Sequence, residues 1–129
     1  MKKVNKFKLY DKNKNEIVKY SNCSIAIDDG GVQSFNKSGE IEGTLVNRHL
    51  VPLEYVGKND IDGNGIYENF IIQRTYGSPG EEDIIGVVIF DECSWWIENK
   101  KQQRAVPLFD EIAVDKIIGN IYQNPELIK

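Results

Sequence analysis

The sequence predicts a mainly β fold, and three observations predict it. Seventeen isoleucines and ten valines stand against three alanines and six leucines, and branching at Cβ favours pleated strands while mildly disfavouring helices. Short apolar alternations recur up to Ile97, separated by clusters of Asn, Asp, Gly and Ser, the residues that turns require. Only after Pro107 does the apolar spacing change from two towards the helical repeat. The expectation is an α+β chain dominated by an antiparallel meander of about seven or eight strands, a curled sheet or barrel-like, with one C-terminal helix.

The elements follow in order. Phe7 and Leu9 alternate with lysines, Asp11 to Asn15 supply a turn, and Ile17, Val18 and Tyr20 return, so the chain opens on a hairpin. Cys23, Ile25 and Ile27 alternate and stop at Asp28-Asp29-Gly30-Gly31; Val32 to Phe35 is a further short strand, and Ile41, Gly43 and Leu45 alternate again. Leu50 to Val56 contains Pro52, which has no amide proton and belongs on an edge. After a polar loop from Gly57 to Gly65, Tyr67 to Tyr76 reads as one long strand, and Gly77 to Asp83 as a loop. Ile84 to Phe90 is continuously apolar, as a central strand buried on both faces would be. Cys93 to Ile97 follows, and Glu98 to Arg104 turns the chain. Phe109, Ile112, Ala113, Lys116, Ile117, Asn120 and Ile121 then fall near one helical face, with Asp110 and Glu111 in the first turn and Asn124-Pro125 at the end. Such a helix would cover one sheet face.

At 129 residues and 40% hydrophobic content, the whole chain, 1–129, is expected to form a single domain. No apolar run approaches the roughly 20 residues of a membrane span. Met1 to Lys8 is charged and lacks the apolar stretch of a signal peptide, so the expected compartment is the cytoplasm. Cys23 and Cys93 have no close spacing and read as two half-buried thiols. The net charge of −4 is unevenly spread, with +5 in residues 1–20, −10 in 21–98 and +1 in 99–129. A nucleic-acid binder needs a dominant basic face, so this balance argues against one. The acidic middle suits a basic partner or simply a solvated surface.

One stretch carries recognisable chemistry. Asp60-Ile61-Asp62-Gly63-Asn64-Gly65-Ile66-Tyr67-Glu68 has the pattern D-x-D-x-N-G-x-x-E. Carboxylate and amide oxygens at alternate positions of a tight loop converge on one point, and calcium takes six to eight oxygens. Asp60, Asp62 and Asn64 would contribute side chains, Ile66 its carbonyl and Glu68 a further carboxylate, with Gly65 at the positive-φ position. The stretch resembles the calcium loops of FG-GAP and VCBS repeat proteins, which lead straight into a strand. It differs from EF-hand and dockerin loops, because Ile71 stands where those place an acid, and it occurs in a single copy. No cofactor is expected from the sequence apart from the calcium ion that this resemblance would imply. A plain hairpin connection fits the same residues, since Asn64-Gly65 is a type I′ turn signal.

No catalytic constellation is visible. His49 is the single histidine and no nucleophile lies beside it in sequence. Cys93 would have to reach it through space. Phosphate-binding, zinc-protease and G-x-S-x-G motifs are missing from the chain. The carboxylates of Glu81, Glu82, Asp83, Asp91 and Glu92 admit a hydrolytic pair on paper, but acidic loops are usually solvated. In a strand, Cys93, Trp95 and Ile97 share one side and Ser94 and Trp96 the other. Trp96 therefore points to the surface or beneath the helix, and an exposed tryptophan is a common interface anchor.

These features point to a small protein that binds another protein and is not an enzyme. In general character, though in no motif, the chain resembles the immunity proteins of bacterial toxin systems. That resemblance implies an antitoxin-type inhibitor covering the site of a basic toxin, with Trp96, Glu81, Glu82, Asp83, Asp91 and Glu92 as the contact set. The alternative is a calcium-binding β module built on the 60–68 loop.

Overall fold

The computed structural model describes residues 7–17, 24–28, 31–35 and 50–129. The readings that rest on Cys23, on the alternation of Ile41, Gly43 and Leu45, and on His49 lie outside them. The fold is mainly β and antiparallel, as the β-branched composition predicts. Eleven strands are formed among the described residues, more than the seven or eight expected. The chain divides into two compact units, Met1–Glu54 and Tyr55–Lys129.

In the first unit, β1 (Phe7–Asp11) and β2 (Glu16–Ile17) form the expected hairpin, with Tyr10 opposite Ile17. Asp11 makes the turn: its Oδ1 accepts from the backbone amides of Asn13 at 2.9 Å and Lys14 at 3.2 Å. On its other side β1 pairs with the first half of β5 (Leu50–Asn59), Leu9 opposite Pro52. Strands β3 (Ser24–Asp28) and β4 (Gly31–Phe35) pair with each other as a separate hairpin.

The second unit begins within β5, whose later residues pair with β6 (Gly65–Tyr67). Gly57, at φ +92°, sits in the register shift of that pairing, so the strand continues to Asn59 where a loop was expected to start. The predicted long strand from Tyr67 to Tyr76 is broken at Glu68-Asn69. Asn69 takes φ +66°, and its amide donates to Val88 O while its carbonyl accepts from Ile121 N. Beyond this corner, β7 (Phe70–Thr75), β8 (Ile84–Asp91), β9 (Ser94–Asn99), β10 (Arg104–Pro107) and β11 (Val114–Asn120) make a five-stranded sheet of order β10-β9-β8-β7-β11. The first four form a meander, and β11 returns to the free side of β7.

The core of this unit is made by Val56, Ile66, Ile72, Ile84, Val88, Ile97 and Leu108, with Tyr76, Trp95, Val106 and Ile117 packed against it. Each fully buried branched side chain contributes about 1.5–3 kcal/mol. β8 is central, as its apolar run predicts, but not buried on both faces. Ile84, Gly86 and Val88 face the core, while Ile85, Val87 and Ile89 are exposed or half-buried on the other side.

The C-terminal helix is not formed. Its place is taken by a two-residue-period strand, β11, and the only helical turn among the described residues is a 3-10 turn at Pro125–Ile128. Three physical features override the local helical spacing. Val114, Ile117 and Ile118 are β-branched. The outer edge of β7 offers a continuous row of backbone partners from Thr75 to Phe70. Asp115 is drawn inward by a buried cation. Gly119 completes the arrangement, because a Cβ there would lie 2.4 Å from the Asn124 side-chain oxygen. No helix among the described residues is long and apolar enough to cross a membrane.

Candidate functional site

Arg74 lies on the core-facing side of β7, two residues from Ile72, and is fully buried. Its cost of burial is offset by an acceptor at every guanidinium nitrogen. Nε donates to Asp115 Oδ1 at 2.7 Å and Nη2 to Asp115 Oδ2 at 2.9 Å, a bidentate pair across directly opposed residues of β7 and β11. Nη1 donates to Pro107 O at 2.6 Å, and Nη2 also reaches Leu108 O. Lys58 Nζ adds bonds to Asp115 Oδ2 at 2.8 Å and to Leu108 O at 3.0 Å. The guanidinium also stands 5.8 Å from the Tyr76 ring centroid. Burial disfavours the Asp115 anion, but hydrogen bonds and charge from Arg74 and Lys58 outweigh it and hold the carboxyl below its ordinary range. The same partnership holds the Arg74 pKa above its usual value despite burial.

The consequence is geometrical. Arg74 binds the carbonyls of Pro107 and Leu108 at one end and the Asp115 carboxylate at the other, so a single side chain closes the loop between them. Leu108 anchors that loop in the core. Asp110 shapes its tip, its Oδ1 accepting from Ile112 N at 2.8 Å and Ala113 N at 3.1 Å, and these amides hold its carboxyl below the ordinary range. Besides Glu111, the loop exposes three large apolar side chains: Phe109 is 56% exposed, Ile112 78% and Val114 45%. Ile61, 63% exposed, is brought alongside by its amide, which donates to Asp115 O at 2.8 Å. Large apolar side chains grouped on a rigid support mark binding surfaces.

The five residues of the expected calcium loop are used differently. Asp60 is buried, and its Oδ1 accepts from Asp62 N at 3.0 Å and Asn64 N at 2.9 Å while Oδ2 accepts from Ile117 N at 3.1 Å. With the Ile61–Asp115 bond, this carboxylate caps the edge of β11 as a neighbouring strand would. Asp62 and Asn64 are exposed, Ile66 is a core residue of β6, and Glu68 lies at the corner after it. The positive φ falls on Gly63, at +85°, and not on Gly65, which lies against the Tyr55 and Tyr67 rings. No group of three or more His, Cys, Asp or Glu side chains placed to hold a metal exists among the described residues.

The expected contact set is also dispersed. Glu81, Glu82 and Asp83 precede β8, whereas Asp91 is its last residue and Glu92 follows it, about 26 Å away along the strand. Asp83 Oδ1 accepts from Tyr76 N, and Arg104 donates to the carbonyls of Glu82 and Asp83, placing a cation at that end. Trp96 is half-buried beside Ile89, and its indole N–H donates to Asp91 O at 3.0 Å. No helix among the described residues lies over it. Cys93, expected to be half-buried, is exposed in the hairpin turn at φ +62°. Sequence reasoning missed the Lys58–Asp115–Arg74 cluster. Its signal was legible all the same: an arginine two residues from Ile72, at a core position of an apolar strand, requires a buried anion.

The family model described as YopX protein matches residues 6–129. The chain belongs to the YopX family. Among solved structures, protein yopX from Bacillus subtilis is similar over 95% of this chain and 97% of its own, at 19% identity and a TM-score of 0.65. A protein from Enterococcus faecalis is similar over 98% and 99%, at 18% identity and a TM-score of 0.56. These likenesses establish the fold. No curated protein matches the chain. Membership of the YopX family corrects both resemblances drawn from the sequence, to FG-GAP and VCBS calcium loops and to toxin-immunity proteins. The nine-residue motif misled because aspartate, asparagine and glycine serve tight turns and ion sites alike.

Proposed function

We propose that this YopX-family chain works by binding another protein, through the apolar loop of Phe109, Ile112 and Val114 together with Ile61, and not by catalysis. The observation that carries the reading is the clamp: a fully buried arginine closes the loop that exposes Phe109, Ile112 and Val114, and Ile61 joins them through its bond to the Asp115 carbonyl. A preorganised surface loses little freedom on association. Asp62, Asp110 and Glu111 border these residues in sequence, which suits a partner with basic groups around an apolar centre. The reading goes no further towards a toxin, because the resemblance that suggested one gives way to the family assignment. A cytoplasmic setting belongs to the same proposal, supported by the exposed free thiol of Cys93.

The test is a quantitative pull-down from cells that carry the gene, comparing the natural chain with Phe109→Asp and Ile112→Asp variants of unchanged melting temperature. A protein retained by the natural chain and lost with both variants supports the proposal. A recovered set indifferent to both substitutions overturns it.

A further inference from the structure

The second unit holds a cleft that shares no lining residue with the apolar loop. One wall is the open face of β8, where Ile85, Val87 and Ile89 project, and the other is built from Ile121 and Ile128 of the segment after β11. Its volume is about 280 Å³, equivalent to about nine waters of liquid. That is room for a small metabolite and little more. Branched aliphatic side chains line both walls, so the body of a ligand that fits is aliphatic.

Two charged side chains also line the cleft, Glu98 and Lys100. Glu98 is half-buried on β9, directly opposite Val87 and Ala105. Neither charged side chain makes a hydrogen bond or an ion pair with another described residue. Asn69 and Asn99, the polar residues beside them, are already committed, Asn69 to Tyr122 and Asn99 to Ile85 O and Gln102 N. The cleft thus offers one free anion, one free cation and an aliphatic chamber.

We propose that this cleft binds a free α-amino acid with a branched aliphatic side chain. Its ammonium meets Glu98, its carboxylate meets Lys100, and its side chain lies between Val87, Ile89 and Ile128. A zwitterion uses both charges at once, which neither an amine nor a fatty acid does. The site is independent of the protein-binding loop, and its test does not involve that loop.

Titration calorimetry with leucine, 3-methylbutylamine and 4-methylpentanoate, which share one aliphatic body, tests the assignment. Leucine is expected to bind about tenfold or more tightly than either analogue, the worth of one charge-assisted hydrogen bond. Glu98→Gln is expected to erase the preference over 4-methylpentanoate and Lys100→Gln the preference over 3-methylbutylamine. Ile128→Asp is expected to weaken all three. Equal binding of the three compounds overturns the proposal, as does no heat from leucine up to about 10 mM, or preferences that survive both charge substitutions in variants of unchanged melting temperature.

Discussion

Arg74 and Asp115 stand directly opposite each other on β7 and β11 and are both withdrawn from solvent, joined by two hydrogen bonds of 2.7 and 2.9 Å. The pair orders the loop from Phe109 to Val114 and, with Lys58, balances charge inside the second unit. Removing either partner strands the other. Arg74→Met is expected to destabilise the protein by about 3–5 kcal/mol, because it leaves a buried carboxylate with Lys58 alone. The double variant Arg74→Met/Asp115→Leu is expected to cost less than Arg74→Met by itself, since it removes both charges. Urea denaturation of the two single variants and the double variant measures this coupling.

The same pair sets a pH dependence. The Asp115 carboxyl is held below its ordinary range in the folded protein. Its stabilising contribution is therefore fully present above the unfolded carboxyl pKa of about 3.9 and is lost as pH falls through the depressed folded value. Thermal unfolding from pH 7 downwards is expected to show a steep loss of stability below about pH 4. In Asp115→Asn that loss is expected to be shallower, from a lower starting stability.

Asp60 is expected to be structural. Its carboxylate accepts three backbone amides, so Asp60→Ala is expected to destabilise by about 1–3 kcal/mol for the donors left without acceptors. Asp62→Ala, at an exposed side chain, is expected to stay within about 0.5 kcal/mol. Melting curves with millimolar calcium and with a chelator check the point together, and coincident curves are the expected result.

Gly86 has no room for a side chain. A Cβ there would lie 2.7 Å from Glu98 O and 2.8 Å from Ile97 Cγ2, both in the middle of the sheet. Gly86→Ala is expected to cost about 1–3 kcal/mol by forcing β8 and β9 apart. Gly77→Ala, with nothing within reach of a new Cβ, is the matched control in the same denaturation experiment.

Much of the fold was legible in local chemistry. Branching at Cβ, alternation and turn residues specify the hairpin at Asp11, the strands at Ser24–Asp28 and Gly31–Phe35, and the central place of β8. These are properties of a residue and its near neighbours, so a sequence displays them. The segment from Val114 to Asn120 is where local spacing misled. Its residues fit a helical face, but pairing with β7 and the attraction of Asp115 to Arg74 are stronger than that weak preference.

The sequence by itself determined the class of structure and the position of its turns. Only the tertiary structure decided which charges are buried together, because Lys58, Arg74 and Asp115 are separated by as many as 57 positions in the chain. It also spread the acidic residues to opposite ends of β8, made Asp60 an edge cap, and lifted Phe109 and Ile112 into solvent. A site depends on convergence in space, and pairing register across strands, which no local pattern encodes, is what brings these residues together or keeps them apart.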